Sequence, residues 1–172
     1  METATIRVAE PKDANEIAIV HVETWRHAYK GQISDEYLEN LSVEDRANRW
    51  REHLENPDKG KHMFVAEVDG KVVGWATFGI NRDTDVTPNT AELYGIYVLP
   101  NFSGQGLGSK LMRTALDILK NEGYTKATLW VLETNKKSRE WYESKKWKPE
   151  GAAKVEHKDT IILREVRYII DL

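Results

Sequence analysis

Between Leu93 and Leu116 the chain passes from β-type to glycine-rich to helical sequence without a gap, and that succession leaves few folds open. Leu93 to Val98 is dense in β-branched and aromatic residues, the composition of a buried strand. Pro100-Asn101 ends it, because proline has no N–H to give to a ladder. Ser103-Gly104-Gln105-Gly106-Leu107-Gly108-Ser109 then runs straight into Lys110-Leu111-Met112-Arg113-Thr114-Ala115-Leu116, where apolar residues recur at helical spacing. A helix start presents amide N–H groups without partners and roughly half a positive charge. Glycine lets the backbone turn at positive φ and come close to an anion. Glu92 to Ser109 therefore holds a candidate anion site at the C-terminal end of a strand, where ligands of α/β proteins tend to bind.

Three kinds of phosphate loop compete for this stretch. A Walker loop needs Gly-Lys followed by Ser or Thr, and that tripeptide does not occur in the chain. A dinucleotide fingerprint fits in part: Gly104-x-Gly106 is present, but Ser109 stands where a third Gly or Ala belongs. That fingerprint usually opens a βαβ unit, whereas much β-like sequence comes first here. The third is the acyl-CoA pyrophosphate loop, Arg/Gln-x-x-Gly-x-Gly/Ala. Gly106-Leu107-Gly108 matches its end, and Ser103 takes the place of the Arg or Gln. A glycine turn with no ligand also satisfies these residues taken alone.

The remainder sets the loop in an alternating α and β chain. Thr5-Ile6-Arg7-Val8 is a first short strand, and Pro11 to Asp13 opens a helix with Asp13 as candidate cap. Ile17, Val20, His21, Thr24, Trp25 and Ala28 form its apolar stripe, which ends at Lys30-Gly31. Ile33 to Leu41 fits a turn or a short helix. Ser42-x-x-Asp45 resembles a capping box and starts a helix that Asn56-Pro57 stops. His62–Val68 and Lys71–Ile80 are strands joined by Asp69-Gly70, a two-residue hairpin turn. Asn81 to Asn89 is a polar loop. After the glycine turn the helix ends at Gly123, Ala127–Leu132 is a strand, and Asn135 to Lys145 a short helix. Strands at Val155 and Ile161–Ile170, joined around His157-Lys158-Asp159, close the chain. The order β-αα-ββ-β-α-β-α-ββ implies an α/β (α+β) fold, a mixed sheet with helices on both faces. No linker or repeat divides it, so residues 1–172 are expected to form a single domain.

Composition removes several classes of function. A net charge of −3 gives no general affinity for nucleic acid. No apolar run approaches the ~20 residues of a membrane span, and METATIRVAEPKD lacks the layout of a signal peptide. There is no cysteine, which removes disulfides, thiolate catalysis and Cys-type metal sites together. The five histidines show no metal-ligand spacing, so no metal is expected. A cytoplasmic location is the expectation.

With these elements in place the chain resembles the GNAT superfamily of N-acetyltransferases over nearly its whole length. The resemblance rests on IYVLPNFSGQGLG, on the helix GLGSKLMRTALDILKNEG, on ATLWVLETNKKSREWYESKKW and on the order of elements. It implies a mostly antiparallel sheet and acetyl-CoA as co-substrate. Main-chain groups of Ile96, Tyr97 and Val98 would pair with the pantetheine arm like an added strand. Amides of Ser103, Gly104, Gln105, Gly106, Leu107, Gly108 and Ser109 would hold the pyrophosphate. Asn135 would touch the cofactor arm where two central strands part, and Tyr142 would protonate the departing thiolate. Glu92 stands where some members carry a basic glutamate. Trp25 and Tyr29, four residues apart on one helical face, fall in the region that walls the acceptor site, as does Tyr37. Two departures stand out. Ser103 lacks a cationic or amide head, and Lys146 replaces a glycine at a helix end that needs left-handed geometry.

Each candidate has a plainer alternative. Tyr142 beside Trp141 could simply pack, Glu92 could be a solvated strand start, and Trp25 and Tyr29 could be ordinary core. Lys136, Lys137, Arg139, Lys145 and Lys146 could meet the 3′-phosphate of CoA or cover a solvated helix face. The expected reaction is direct acetyl transfer to a primary amine, since a cysteine acyl-enzyme is impossible in this chain. A small-molecule acceptor is preferred, with Glu23, Asp35 and Glu36 suiting a cationic one. Protein or peptide acetylation and a CoA-binding module without turnover are the alternatives. The long final strand Ile161–Ile170 could pair across a homodimer.

Overall fold

The computed structural model describes residues 4–172; Met1–Thr3, which begin the N-terminal stretch read above, lie outside the described residues. The elements are β1 (Ala4–Val8), α1 (Ala14–Ala28), α2 (Asp35–Glu39), α3 (Val43–Glu55), β2 (Lys61–Val68), β3 (Lys71–Ile80), β4 (Thr90–Val98), α4 (Leu107–Asn121), β5 (Lys126–Leu132), α5 (Lys136–Ser144), β6 (Lys148–Lys158) and β7 (Ile161–Asp171). Ile33 to Leu41 resolves into the short helix α2, whose first turn is capped by Ser34, with Oγ accepting from the Tyr37 amide at 3.1 Å. Ser42 caps α3 in the same way, from the Asp45 amide at 3.1 Å. Asp13 does not cap α1 through its side chain. Its carboxylate instead takes the Glu10 amide and the guanidinium of Arg7, both at 2.8 Å.

The strands form one sheet in the order β1-β2-β3-β4-β5-β7-β6. Neighbours are antiparallel except β4 and β5. That parallel pair touches only over Thr90–Glu92 against Lys126–Thr128, and beyond it the strands separate. A bulge contributes to the parting. Thr77 faces Gly95 but Phe78 faces Leu93, so Tyr94 is an extra residue that bends β4 as it leaves β5. The consequence for the site is direct: Gly95 to Val98 are laddered to β3 on one side and to no strand on the other.

Alternation along the strands sends residues to two cores. Ala66, Ala76, Phe78, Leu93 and Leu129 pack under the apolar stripe of α4, Leu111, Met112, Ala115 and Leu119. Met63, Val65, Val72 and Trp75 face Ile17 and Val20 of α1 and Trp50 of α3. The fold is thus the mixed, mostly antiparallel sheet with helices on both faces that the sequence implies. One expectation is corrected. The final strand β7 is enclosed between β5 and β6, so it has no edge to offer a second copy; the outer edge belongs to β6.

Candidate active site

The glycine turn has the geometry an anion site needs. Gly104 and Gly106 sit at φ 80° and 81°, and a Cβ on either would meet nothing within 4 Å. Gly106 is the N-cap of α4, and the first amide of that region to find a backbone acceptor is Lys110, bonded to the Gly106 carbonyl at 3.0 Å. Among the described residues nothing accepts from the amides of Gly104 through Ser109. Such a row of free N–H groups at a helix start attracts a phosphate. Gly108 serves packing: its Cβ would lie 3.2 Å from the indole of Trp141, which would have to give by a few tenths of an ångström to admit one.

Ser103, Gly104, Gly106, Gly108 and Ser109 line a cleft of about 740 Å³. The free edge of β4, Ile96 to Val98, forms another of its walls, and Asn135, Lys136, Lys137 and Tyr142 the opposite one. Gln105 and Leu107 contribute backbone only. The Gln105 side chain turns back, its Nε2 donating to the Asn101 carbonyl at 3.3 Å, and Leu107 is buried against Val68 and Val73. Of the basic cluster, Lys136 and Lys137 reach the cleft, while Arg139 is held by the Tyr168 hydroxyl at 3.1 Å and the Glu133 carbonyl at 2.8 Å. Asn135 caps α5, its Oδ1 accepting from the Ser138 amide at 3.3 Å.

A second cavity of about 330 Å³ adjoins the cleft. The two share Ala28, Ile96, Tyr97, Asn135, Ser138 and Tyr142. Trp25 and Tyr29 line it, edge to face with ring centroids 4.9 Å apart. Trp50, Trp75 and Tyr97 complete an aromatic wall around His21. The β6–β7 hairpin closes this side: Ile161 and Leu163 pack with Trp25, Ile33 and Tyr37. Tyr37 does not line the cavity. Its hydroxyl meets Asp159 at 3.4 Å and ties α2 to the hairpin tip. Glu23, Asp35 and Glu36 are exposed and do not line it either.

Tyr142 lies at the junction, and among the described residues its hydroxyl has no hydrogen-bond partner. Burial, with a smaller effect of Tyr97, pushes its pKa well above the usual phenol value. The group is a neutral O–H aimed at the space where the cavities meet.

Glu92 is placed differently from the expectation. It is 1 % exposed and lines neither cavity. Its carboxylate accepts from the Arg82 amide at 3.0 Å and from the Arg82 guanidinium at Nε and Nη2. A carboxylate so fully engaged has no lone pair turned to a substrate, and it positions loop 81–89 instead. Two carboxylates line the second cavity, Glu156 of β6, which is exposed, and Glu165 of β7, which is half-buried. Burial holds the pKa of Glu165 above the ordinary range, with Glu156 pushing the same way and Lys154, at 3.8 Å, opposing. Sequence reading missed Glu165, although the inward register of β7 carried a signal: Leu163, Glu165 and Arg167 share one face, and charged residues there need a reason.

Comparison with known proteins agrees with this geometry. The model of the acetyltransferase (GNAT) family matches residues 21–146. An uncharacterised N-acetyltransferase of Bacillus subtilis, YuaI, is 33% identical over 132 residues, 76% of this chain and 73% of its own length. An uncharacterised N-acetyltransferase of Archaeoglobus fulgidus is 33% identical over 81% of this chain and 89% of its own. The crystal structure of PaiA N-acetyltransferase from Thermoplasma acidophilum in complex with coenzyme A superimposes with a TM-score of 0.72 at 23% identity, covering 99% of both chains.

Proposed function

The chain belongs to the GNAT acetyltransferase family, and on that premise we propose that it carries an acetyl group from acetyl-CoA to the primary amine of a small molecule, by direct attack in a ternary complex. It is an acyltransferase, and acetyl-CoA is its donor. One observation carries the finer statement: a long cleft floored by free helix-start amides meets a smaller, aromatic-walled cavity along a junction that Tyr142 lines. The hairpin over Trp25 and the Tyr37–Asp159 contact bound the acceptor side and leave it about 330 Å³, a volume that suits a small molecule better than an extended chain.

Each group then has a task. Amides of Gly104 to Ser109 hold the diphosphate, that of Ser103 being taken by the Pro100 carbonyl at 3.1 Å; Lys136 and Lys137 stand near for its further phosphate, and Ile96 to Val98 take the pantetheine arm as an added strand. Asn135 fixes the start of α5 and so the place of Tyr142. Trp25 and Tyr29 wall the acceptor. An alkylamine with pKa about 10.4 arrives protonated, and Glu165, its pKa raised by burial, is the group that takes the proton. The C–N bond forms as the C–S bond breaks; the Tyr142 O–H gives its proton to the departing sulfur, and the second proton shed by the attacking nitrogen restores the phenol. Strand N–H groups near Ile96 polarise the carbonyl.

Thiol release from acetyl-CoA across spermidine, aminoglycosides, amino acids and short peptides tests the acceptor class; peptides alone as substrates would overturn it. Glu165→Gln is expected to lower kcat/KM about a hundredfold and to remove the acidic limb of its pH profile, whereas Glu92→Gln shifts stability and leaves that limb in place. The reverse pattern would return the base role to Glu92.

A further inference from the structure

The acceptor cavity carries charge of both signs: Arg82 and Lys154 line it and face Glu92 and Glu165, but two further cations at or beside it hold no carboxylate. Lys158, at the end of β6, lines the cavity with its ammonium 4.8 Å from the Trp25 ring centroid. Arg46 of α3 brings its guanidinium to 5.6 Å from the same ring. Among the described residues neither forms an ion pair, in contrast to Arg7, Arg82 and Arg167, each of which holds at least one carboxylate. Glu156 and Asp159 lie near enough to act on Lys158, but only through space. Burial and then the like charge of Arg46 hold its pKa below the ordinary lysine value.

His21 makes the surplus sharper. The Trp50 indole N–H, which can only donate, points at Nδ1 from 3.3 Å. The imidazole is neutral, its pKa lowered to about 3 by burial and by Arg46 and Lys158. Nε2 faces the Arg46 guanidinium at 3.4 Å, and a neutral imidazole accepts at one ring nitrogen only, so Trp50 and Arg46 compete for a single lone pair. A donor therefore meets a donor. Turning the ring over does not help, since both neighbours are donors. Arg46 and Lys158 converge beside His21 without a carboxylate of their own, on a cavity whose carboxylates are Glu156 and Glu165.

We propose that Arg46 and Lys158, on the Trp25 indole beside His21, bind an anionic group of the acceptor, so that the substrate is an amine that also bears a carboxylate, phosphinate or phosphonate, as an amino acid does. The proposal rests on the small-amine reading above and narrows it. The anion docks away from the donor cleft, with Lys158, Trp25 and His21 lining the acceptor cavity alone, and the amine faces Glu165 and Tyr142.

Matched pairs test it. Phenylalanine against phenethylamine, methionine against 3-(methylthio)propylamine, and the aminophosphonate analogue of phenylalanine are assayed for thiol release at saturating acetyl-CoA. The acids are expected to exceed their decarboxylated partners at least tenfold in kcat/KM, and the phosphonate arm shows whether a carboxylate is required. Arg46→Gln and Lys158→Gln, both at half-exposed positions, are expected to raise KM for the acid about tenfold each while KM for acetyl-CoA and the rate with the plain amine stay unchanged. Decarboxylated amines reacting as well as the acids, or variants that leave KM for the acid unchanged, would overturn the proposal. Calorimetric binding of the same acids to the CoA-loaded protein reads the anchor without turnover: tight binding lost in Arg46→Gln supports it even if no acceptor is acetylated, an outcome that would sink acetyl transfer to small amines instead. No binding of any acid, or equal binding of acid and amine, overturns the anchor.

Discussion

Tyr142 and His21 show how burial sets the chemistry of a single side chain. Burial raises the pKa of Tyr142, which keeps its proton at any physiological pH; a phenol in that state can act as an acid and not as a base. Tyr142→Phe keeps the ring that packs near Trp141 and Trp147 and removes only the proton. It should leave KM for acetyl-CoA unchanged and lower kcat by about 100-fold; an unaltered kcat would take the hydroxyl out of the reaction. For His21 the same burial has a cost in acid. Its folded pKa of about 3 lies below the ordinary 6.5, so the unfolded chain binds the proton first and stability falls as the pH drops through that window. Between pH 7 and pH 5 the loss from this one residue should be about 2 kcal/mol. Urea unfolding of His21→Phe should be flatter over the same range. Tyr142 was legible in the sequence because Asn135 and Tyr142 lie on one short helix. Glu165 was not, because its place in the cavity depends on β7 pairing with β5 and β6, a register between distant segments.

At the level of elements, local chemistry was the readable part. The Asp69-Gly70 hairpin, the Ser42 cap and the strand-turn-helix at the glycine loop all depend on neighbours within a few residues, and all formed as the residues imply. Lys146 also bears this out: it adopts φ 72°, the left-handed geometry at which glycine is more usual. What could not be read was the role of charged residues whose partners lie far off in sequence, such as Glu92 with Arg82 or Arg167 with Asp83 and Asp85. The glycine loop offers a test of its own. Gly106→Ala meets no steric block, but alanine pays about 1 kcal/mol to hold left-handed geometry. The loop amides should relax out of line, raising KM for acetyl-CoA severalfold with KM for the amine unchanged. Equal rises in both would indicate a general loss of fold rather than of the phosphate grip.

On the scale of the molecule the sheet is continuous in order but nearly divided in its hydrogen bonds. Strands β1 to β4 and β5 to β7 meet only through the short parallel ladder at Thr90–Glu92, while the core under α4 runs beneath both halves. A ligand in the cleft would bridge them. Acetyl-CoA at a hundred times its Kd should therefore raise apparent stability by about 2.7 kcal/mol, seen as a higher thermal midpoint. The same addition should slow hydrogen exchange at Gly95 to Val98 and along β5. Protection confined to the glycine loop would mean that the arm does not lie along β4.

The extra residue at Tyr94 carries that division further. By adding one position to β4, it turns a run of peptide groups that would have been spent inside the sheet into an open docking rail. Deleting Tyr94 would let the rail zip shut against β5, giving a sturdier protein with nowhere to seat its donor.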